Sequence, residues 1–373
     1  MKRIACLILM LTGILSCASP RQETAGAVYV VDCNGSGDFR SVQACLDALP
    51  SKPDGWRTIR ILPGEYREKV TVDVYKDKVA IVGCGATPEE VRIVWDDHTG
   101  RVAHGHEMTT YDSWTLSIQA DDIYLANLTV ENDAGRVGQA VALETRGDRI
   151  WIDGCRLVGD QDTFFTKDYV SRVYVTDSYI EGTTDFIFGP SIVYFQNCIL
   201  HGKVNSYLTA ASTTERNKFG YIFDACTVTA ADGVERLYLG RPWKSTARTV
   251  WICCDLPEAI VPEGWHDWND PIRQTSSFYA EYGCTGAGSE RSKRVPWSHL
   301  LTTEQALEHT DLAQVFAKKT GSEQFYDDWM PTDESYVLNL RAEIRPEAGN
   351  SSLPEARKGL EALRTQTQNQ ETL

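Results

Sequence analysis

Two aspartates and two glutamines recur at a fixed interval in the middle of the chain. Twenty-three positions separate Gln139 from Asp162, twenty-three more separate Asp162 from Asp185, and Gln161 directly precedes Asp162. If the chain coils with this period, these side chains stack, and neighbouring strands of a sheet lie about 4.8 Å apart. Two carboxyl groups that close do not ionise independently, so one serves as the acid and the other as the base or nucleophile.

The residues around this carboxyl pair suit acyl transfer. The Gln139 and Gln161 amides are neutral donors that stabilise an oxyanion without adding charge. Arg241 offers a planar guanidinium that holds one carboxylate ionised and oriented, and Trp243 offers a flat face for a sugar ring. Taken singly, these side chains also have structural explanations, namely turn-forming aspartates, a glutamine ladder, a surface ion pair and a packed aromatic ring. The shared interval favours the functional interpretation.

The candidate catalytic residues lie within a repeated pattern of short apolar stretches. Each copy spans eight positions. Positions 1, 3 and 8 are apolar, position 6 is small or apolar, and the other positions are unrestricted. Copies begin, in chain order, at Val79 (partial), Ile123, Ile150, Val173, Val193, Tyr221 and Val250 (partial, with Ile252). Short strands at such a loose repeat are typical of solenoids, in which no coil buries its apolar face alone. Because crossovers between parallel strands are nearly always right-handed, we predict an all-β chain folded as a right-handed parallel β-helix.

Helical patterns flank the repeat at both ends. An N-terminal helix that caps the open end of the solenoid is predicted from the apolar residues Val42, Cys45, Leu46 and Leu49. Residues 302–319 also read as a helix, and a short helix near the C-terminus would place Leu360 and Leu363 beneath it. We therefore predict a β-helix catalytic domain over 28–320 and a polar extension over 321–373, which wraps on the solenoid or forms a tail.

The first twenty residues have the features of an export signal. Two basic residues precede an apolar run over 4–15, which is too short to span a bilayer. The segment Ile14-Leu-Ser-Cys17 resembles a bacterial lipobox, in which Cys17 carries lipid after cleavage; ordinary cleavage near Ala18 is the alternative. We predict removal of residues 1–20 and a lipid-anchored protein of the outer membrane, periplasm or cell surface, or else a secreted one.

Composition limits the partners. A net charge of -15 and a pI near 5.0 argue against nucleic acid, whose phosphates demand a basic face. An acidic polysaccharide would likewise need a local basic or aromatic groove. His98, His104 and His106 lie close in sequence, but no cysteine or carboxylate at a recognisable spacing accompanies them, so we predict no metal and no cofactor.

The cysteines do not indicate a disulfide framework. The chain has 11, of which Cys6 lies in the leader and Cys17 is the predicted lipid attachment site. Cys155, Cys198 and Cys226 occupy the same position of successive repeats, which favours an interior stack of small residues over bridges. Pairing among the other cysteines stays open.

Several segments together resemble the signature blocks of the pectin methylesterases. They are Gln139-Ala-Val-Ala-Leu143, Gly159-Asp-Gln-Asp-Thr163, Gly182-Thr-Thr-Asp-Phe-Ile-Phe-Gly189 and Leu239-Gly-Arg-Pro-Trp243, with Gly64-Glu-Tyr-Arg-Glu68 and Gly264-Trp-His-Asp-Trp268 as flanking segments. The similarity covers roughly residues 28–297. It implies a right-handed β-helix that hydrolyses the methyl esters of galacturonan, the backbone of pectin, to pectate and methanol without a metal. We expect the protein to be a monomer.

The resemblance also implies a role for each site residue. Asp185 would be the nucleophile, Asp162 the general acid and then the general base, and Arg241 the group that orients Asp185. Gln161 and Gln139 would stabilise the oxyanion. The substrate would contact Thr110, Gln139, Phe188, Arg241 and Trp243.

Other functions are compatible with a β-helix. A polysaccharide lyase would need a calcium-binding carboxylate cluster with a basic proton abstractor, and a galacturonan hydrolase would need aspartates spaced for glycosidic attack; neither pattern stands out. A related envelope esterase or thioesterase with another substrate stays open, as does a carbohydrate-binding solenoid without activity. One departure from the family pattern is Thr184, where valine is commoner, and it leaves the chemistry alone.

Overall fold

The computed structural model describes residues 26–51, 53–103, 105–320, 325–346 and 354–371. The predicted leader with Cys17, and also His104, lie outside the described residues. Within these ranges, most strands belong to three parallel sheets, which we call sheets A, B and C. The chain visits the sheets repeatedly, so each central coil adds one strand to each sheet, and the three sheets form the faces of a right-handed parallel β-helix. The predicted fold is confirmed.

The bounds of the strands show how regular the coil is. Sheet A contains, in spatial order, Ala27–Val31, Arg57–Ile61, Val79–Gly83, Ile123–Ala126, Ile150–Asp153, Arg172–Thr176, Ile192–Gln196, Tyr221–Asp224, Arg248–Ile252, Phe278–Tyr282 and His299–Leu300. Sheet B contains Gly64–Arg67, Val91–Trp95, Thr129–Asn132, Arg156–Val158, Tyr179–Gly182, Ile199–Gly202 and Thr227–Ala230. Sheet C contains Val70–Val72, Leu116–Ile118, Leu143–Thr145, Phe164–Thr166, Ile187–Gly189 and Thr209–Ala211.

Three further pairs of short strands lie outside the three sheets. They are Ser206–Tyr207 with Leu237–Tyr238, Val102–Ala103 with His106–Glu107, and Lys318–Thr320 with Phe325–Asp327. The helices are Val42–Ala48, Ile272–Ser276, Thr303–His309, Leu312–Phe316, Ser335–Ile344 and Glu355–Glu371, and the 3-10 turns are Pro88–Glu90, Thr110–Asp112, Ala287–Ser289 and Pro331–Asp333. None of the described helices has both the length and the apolar character needed to cross a membrane.

The predicted repeat sets the register of sheet A over its central coils. Ile123, Ile150, Val173, Val193 and Tyr221 pair with one another in succession, and Val79 pairs with Ile123. All six side chains lie in the interior of the coil, in the main hydrophobic core. Apolar stacking across the coils therefore fixes which residues face inward.

The last predicted copy of the repeat is wrong by one residue. Tyr221 pairs with Thr249, so Val250 pairs with Ile222 instead. Since side chains alternate along a strand, this shift places Val250 and Ile252 on the outer face of sheet A, while Trp251 faces the interior. A second apolar cluster on that outer face buries both residues.

The cysteines predicted to stack do so. Cys155, Cys198 and Cys226 are buried in the interior and are free thiols. Their thiols point to backbone carbonyls one coil earlier, since the Cys198 Sγ lies 3.5 Å from the Val175 oxygen. Cys254 continues the same stack. The small residues thus fill the corner of the coil, where a larger side chain would collide with its neighbours.

The N-terminal helix covers the open end of the coil. Ser41 caps helix Val42–Ala48 by accepting a hydrogen bond from the Ala44 amide, as a cap residue is expected to do. Its apolar side chains are buried in the interior core together with those of the first coils. This helix was predicted, and its bounds match the apolar spacing.

The C-terminal residues cover the outer face of sheet A. The region predicted as one helix over 302–319 is two short helices, Thr303–His309 and Leu312–Phe316. Leu360, on the last helix, is buried as predicted, whereas Leu363 is 42% exposed, which corrects its predicted burial. Both faces of sheet A are therefore covered, as is usual for parallel sheets.

Candidate active site

The paired carboxyl groups lie at the N-terminal ends of adjacent strands of sheet C. Asp162 precedes Phe164–Thr166 and Asp185 precedes Ile187–Gly189, and these strands pair with the same 23-residue offset that separates the two aspartates. Both aspartates have positive φ angles, 69° and 51°, a region that aspartate tolerates better than most residues. The two carboxyl groups therefore stand one coil apart on the same face.

The glutamines occupy the neighbouring column. Gln139 forms a parallel bridge with Gln161, so it is not stacked on Asp162 as the equal 23-residue interval predicted. The Ala140 amide donates to the Gln161 carbonyl at 3.0 Å, which fixes this register. One column thus carries the two amides and the next column carries the two carboxyl groups.

Every predicted site residue lines one cavity of about 220 Å³ on the outer side of sheet C. The lining residues are Thr110, Tyr111, Gln139, Gln161, Asp162, Asp185, Phe188, Arg241, Trp243 and Trp268. Asp162 and Asp185 are 8% and 6% exposed, so each carboxyl group is largely desolvated yet still opens onto the cavity. One substrate group in this space can reach both.

Arg241 holds Asp185 through a two-point hydrogen bond. Its Nε donates to Oδ1 at 3.0 Å and its Nη2 donates to Oδ2 at 2.6 Å. The guanidinium carbon lies 3.9 Å and 3.8 Å from the ring centroids of Tyr207 and Trp268. Two aromatic faces and a bidentate carboxylate leave the guanidinium little freedom, so the carboxylate of Asp185 is fixed in orientation.

The surroundings separate the pKa values of the two aspartates. Burial raises the pKa of Asp162 well above its usual range, and the charge of Asp185 raises it further, with Arg241 opposing both. Burial also raises the pKa of Asp185, but the hydrogen bonds and charge of Arg241 lower it. Asp162 is therefore the better proton donor and Asp185 the better anion, the asymmetry that acid and nucleophile need.

A row of aromatic rings forms the floor beside the carboxyl groups. Phe165 and Phe188 are paired across sheet C and stack with centroids 4.3 Å apart and an interplanar angle of 4°. Tyr111 lies 5.8 Å from Phe165 at one end of the row, and Trp243 lies 6.0 Å from Phe188 at the other. The two stacked phenylalanines offer a flat apolar surface for a sugar ring, and the tilted rings of Tyr111 and Trp243 bound it at either end.

Arg241 and Trp243 reach the site because their backbone continues sheet C. The Arg241 amide donates to the Thr209 carbonyl at 2.9 Å, and the Trp243 amide donates to the Ala211 carbonyl at 2.8 Å. Thr110 begins a 3-10 turn at the opposite rim, where its hydroxyl lies 3.2 Å from that of Thr99. All eight residues proposed for the site from sequence are thus brought together.

Sequence reasoning missed four aromatic residues of the site. Tyr111 and Trp268 line the cavity, Tyr207 stacks on Arg241, and Phe165 stacks on Phe188 in the aromatic floor. Trp268 was recognised only as part of a flanking segment, although its neighbours Asp267 and Asn269 are turn-forming residues that could have indicated a loop projecting over the site. Tyr207 follows a polar stretch with no apolar pattern, so no signal pointed to it.

The fold and the cavity define the chain as a β-helical enzyme with a carboxyl pair in its site. A sequence model of the pectinesterase family matches residues 28–318, and the chain belongs to this family. Among curated proteins, it is 37% identical to pectinesterase QRT1 of Arabidopsis thaliana over 287 residues, with 74% of each chain covered. It is 34% identical to pectinesterase 31 of the same plant, covering 74% of this chain and 88% of that one.

Solved structures agree with this assignment. The carrot pectin methylesterase superposes with a TM-score of 0.70 at 29% identity, covering 77% of this chain and 92% of that one. The pectin methylesterase PemA of Erwinia chrysanthemi superposes with a TM-score of 0.68 at 27% identity, covering 83% and 98%. The resemblance seen in the sequence is therefore confirmed at the level of the family.

Proposed function

We infer that this chain is a pectinesterase that hydrolyses the methyl esters of galacturonan, releasing methanol and leaving pectate. The observation that carries the inference is the cavity in which Asp162 and Asp185 stand one coil apart, with Arg241 bound to Asp185 alone. Membership of the pectinesterase family agrees with it, as do related pectin methylesterases bound to hexasaccharides.

The first half of the reaction forms an acyl-enzyme. A carboxylate oxygen of Asp185 attacks the ester carbonyl carbon, and the carbonyl oxygen becomes an oxyanion that the Gln161 and Gln139 amides stabilise. The bond to the methoxy oxygen then breaks, and Asp162 gives its proton to the departing methanol. Burial supports this role, because it keeps Asp162 protonated at a pH where a free aspartate would be ionised.

The second half returns the enzyme to its starting state. Asp162, now ionised, takes a proton from water, and the resulting hydroxide attacks the sugar's carbonyl carbon in the mixed anhydride on Asp185. The anhydride bond breaks, which regenerates the Asp185 carboxylate and releases the carboxylic acid of the sugar, and this acid loses its proton to solvent. Arg241 holds Asp185 in place through both halves, and Thr110, Phe188 and Trp243 position the sugar.

A methanol-release assay tests this function. Several pectins of different methylation are incubated with the wild-type chain, Asp162→Ala and Asp185→Ala, and an acyl thioester is offered in parallel. We expect methanol from pectin with the wild type and none above background with Asp185→Ala. Hydrolysis of the thioester without methanol release would instead establish the envelope thioesterase, and equal behaviour of all three proteins would indicate a binding solenoid.

We also propose that the chain is exported, carries lipid on Cys17 and works as a monomer. The basic and apolar pattern of the leader supports export, and the lipobox-like segment before Cys17 supports lipidation. One chain supplies every lining residue of the cavity, so the site needs no second subunit. Mass spectrometry of the mature N-terminus tests the lipid, with Cys17→Ala as its control, and light scattering of the protein without its leader tests the monomer.

A further inference from the structure

The two rings that enclose the guanidinium of Arg241 are both in contact with one histidine. The guanidinium carbon lies 3.9 Å from the ring centroid of Tyr207 and 3.8 Å from that of Trp268. The ring of His266 lies 5.4 Å from that of Tyr207 in an edge-on arrangement. Its Nδ1 lies 2.9 Å from the backbone nitrogen of Trp268. His266 therefore links the two aromatic residues between which Arg241 is held.

The hydrogen bond to Trp268 fixes the protonation state of the imidazole. A backbone N–H can only donate, so Nδ1 is the acceptor and the ring is neutral, with its proton on Nε2. A further proton on Nδ1 would stand directly opposite the Trp268 amide, and the hydrogen bond would be lost. The bond can therefore form only while His266 is neutral.

The turn that this bond holds has a strained backbone. Trp268 and Asn269 have φ angles of 61° and 56°, in the left-handed region that a bulky residue adopts at a cost. Two successive side chains hold the turn in the same way, since His266 accepts from the Trp268 amide and Asp267 accepts from the Asn269 amide at 2.9 Å. Without the first bond, the ring of Trp268 is held less firmly against Arg241.

The other ring, that of Tyr207, is tied both to the histidine and to the nucleophile. Tyr207 stacks on Tyr238 with centroids 5.0 Å apart, and His266 packs edge-on against both rings. The Tyr207 carbonyl also accepts a hydrogen bond from the Asp185 amide at 2.8 Å. Since Arg241 orients the carboxylate of Asp185, the packing of the imidazole is transmitted to the reacting oxygen through the guanidinium.

Two charged groups and two phenols face the imidazole from the described elements around it. Asp267, on the same loop, attracts a proton on the ring; the pKa of Asp267 is lowered chiefly by its hydrogen bond from Gln274, and the charge of His266 contributes. Arg241, which shares the Tyr207 ring with His266, repels that proton. The phenols are Tyr207 and Tyr238. His266 is partly exposed, so a proton can reach it from solvent.

We propose that His266 is a positioning residue, whose neutral imidazole locks Trp268 and Tyr207 around Arg241 and whose protonation releases them. The inference rests on the proposed pectinesterase function and adds a pH-dependent control of its nucleophile. Histidine is the side chain that ordinarily changes charge between pH 5 and 8. Once the ring is protonated, Arg241 opposes the effect of burial less, the pKa of Asp185 rises, and the nucleophile is lost by protonation.

Two substitutions of His266 separate its hydrogen bond from its packing. His266→Asn keeps an acceptor for the Trp268 amide, because asparagine commonly accepts from the amide two residues on, but it cannot be protonated. His266→Phe keeps the ring against the tyrosines but has no acceptor. The experiment measures kcat/KM for methanol release from methylated galacturonan along the acid limb of the pH profile, with melting temperatures as the check of folding.

The two variants should differ in opposite directions from the wild type. We expect His266→Phe to lower kcat/KM by about tenfold, as the loss of one hydrogen bond allows, and to move the acid limb to higher pH. His266→Asn should keep kcat/KM within about threefold of the wild type, since only the ring contacts are lost. Its acid limb should move to lower pH, because the acceptor can no longer be protonated.

His201→Phe is the matched control. His201 is also partly exposed, stacks on Tyr179 with centroids 6.1 Å apart and bonds to the Thr229 hydroxyl through Nδ1 at 2.9 Å. It lies on the outer face of sheet B, so its replacement should change neither kcat/KM nor the acid limb.

The comparison of His266→Asn with the wild type decides the proposal even if His266→Phe does not fold. Identical acid limbs in these two proteins overturn the positioning role, as does a folded His266→Phe variant with the kcat/KM and acid limb of the wild type. No methanol from the wild-type chain overturns the proposed function instead.

Discussion

The same ion pair, an arginine bound to a buried aspartate, occurs on two faces of the coil with different consequences. On the outer face of sheet A, Arg357 from the last helix binds both oxygens of Asp224 at 2.8 Å and 2.9 Å, and Tyr194 donates to the same carboxylate. Asp224 is fully buried there. On the outer face of sheet C, Arg241 binds Asp185 as closely, but Asp185 opens onto a cavity and faces Asp162 across one coil.

A third pair shows the same pattern as Asp224. Asp153 is fully buried and accepts hydrogen bonds from Arg341 and Arg345 of the C-terminal extension and from Tyr124 and Thr176 of the coil. All of its acceptor capacity is used within the protein. An arginine therefore fixes a buried aspartate on sheet A and on sheet C alike. The aspartate is reactive only where its carboxylate also opens onto a cavity, as that of Asp185 does.

The largest expected effect is the loss of activity in Asp185→Asn. The amide keeps the shape of the side chain but cannot attack an ester, so methanol release should fall by about 10⁴-fold or more. Arg241 is partly exposed and can be solvated, so the melting temperature should change little. Methanol release and calorimetry measure the two quantities. Substantial residual activity would contradict the nucleophile assignment, and unfolding would show that this pair is structural like the others.

Asp224→Asn should have the opposite effect to Asp185→Asn, lowering the stability and leaving the activity nearly unchanged. It removes the buried counter-charge of Arg357 and leaves its guanidinium only the half-exposed Glu361, 3.3 Å away, so the free energy of unfolding should fall by about 3 kcal/mol. Below the melting transition, kcat/KM should stay within about twofold of the wild type, because the site lies on another face. Urea denaturation and the methanol assay at low temperature check both. A large loss of activity in a folded variant would mean that the two faces are coupled.

Sequence patterns predicted the inner face of the coil and the site on sheet C well, and the outer face of sheet A poorly. Inward-facing residues such as Ile150 and Val173 repeat because apolar stacking demands it, and the site residues are carried by the turns next to them. Sheet A, however, is buried on both faces, so its strands are continuous apolar runs in the sequence. The alternation of apolar and polar residues, which would show which side chains face inward, is therefore missing. The one-residue error at Val250 follows from this.

The residues missed at the site have a related cause. Trp268 reaches Arg241 from a loop, and Tyr207 reaches it from a two-residue strand outside the three main sheets. The paths of both segments depend on tertiary contacts and not on a repeat. The anchoring of the extension by Arg341 and Arg357 was likewise out of reach of sequence reasoning. A lone arginine in a polar stretch reads as solvent-exposed until its buried partner is known.

Arg241→Lys should separate the charge of the arginine from its geometry. Lysine keeps the charge but loses the two-point hydrogen bond and the stacking on two rings, so kcat/KM should fall by about 10²-fold. The pKa of Asp185 should rise, because burial raises it and Arg241 opposes that effect. The acid limb of the pH profile should therefore move to higher pH. An unshifted acid limb would show that Arg241 does not control the ionisation of Asp185.

Asp162→Asn should remove a pH dependence of stability. Because the folded pKa of Asp162 is raised above the value of 3.8 for a free aspartate, the folded state holds this proton more tightly than the unfolded state. Stability is then highest below the unfolded pKa and declines as the pH rises toward the folded pKa. The variant should lack this decline and be more stable than the wild type at neutral pH. Denaturation curves at several pH values would contradict this if both proteins declined alike.

The smallest expected effect is that of Thr184→Val, which restores the residue commoner in the family next to the nucleophile. The Thr184 hydroxyl shares a hydrogen bond of 2.8 Å with Ser206, and both residues are partly exposed, so water can replace it. The stability should change by about 1 kcal/mol or less and kcat/KM by less than about twofold. Asp185 keeps its place through its own backbone bond to Tyr207, at 2.8 Å, and through Arg241. A tenfold loss of activity would instead mean that the hydroxyl of Thr184 sets the position of the nucleophile. The Asp185–Arg241 pair would then be less rigid than the Asp224–Arg357 and Asp153–Arg341 pairs on the outer face of sheet A.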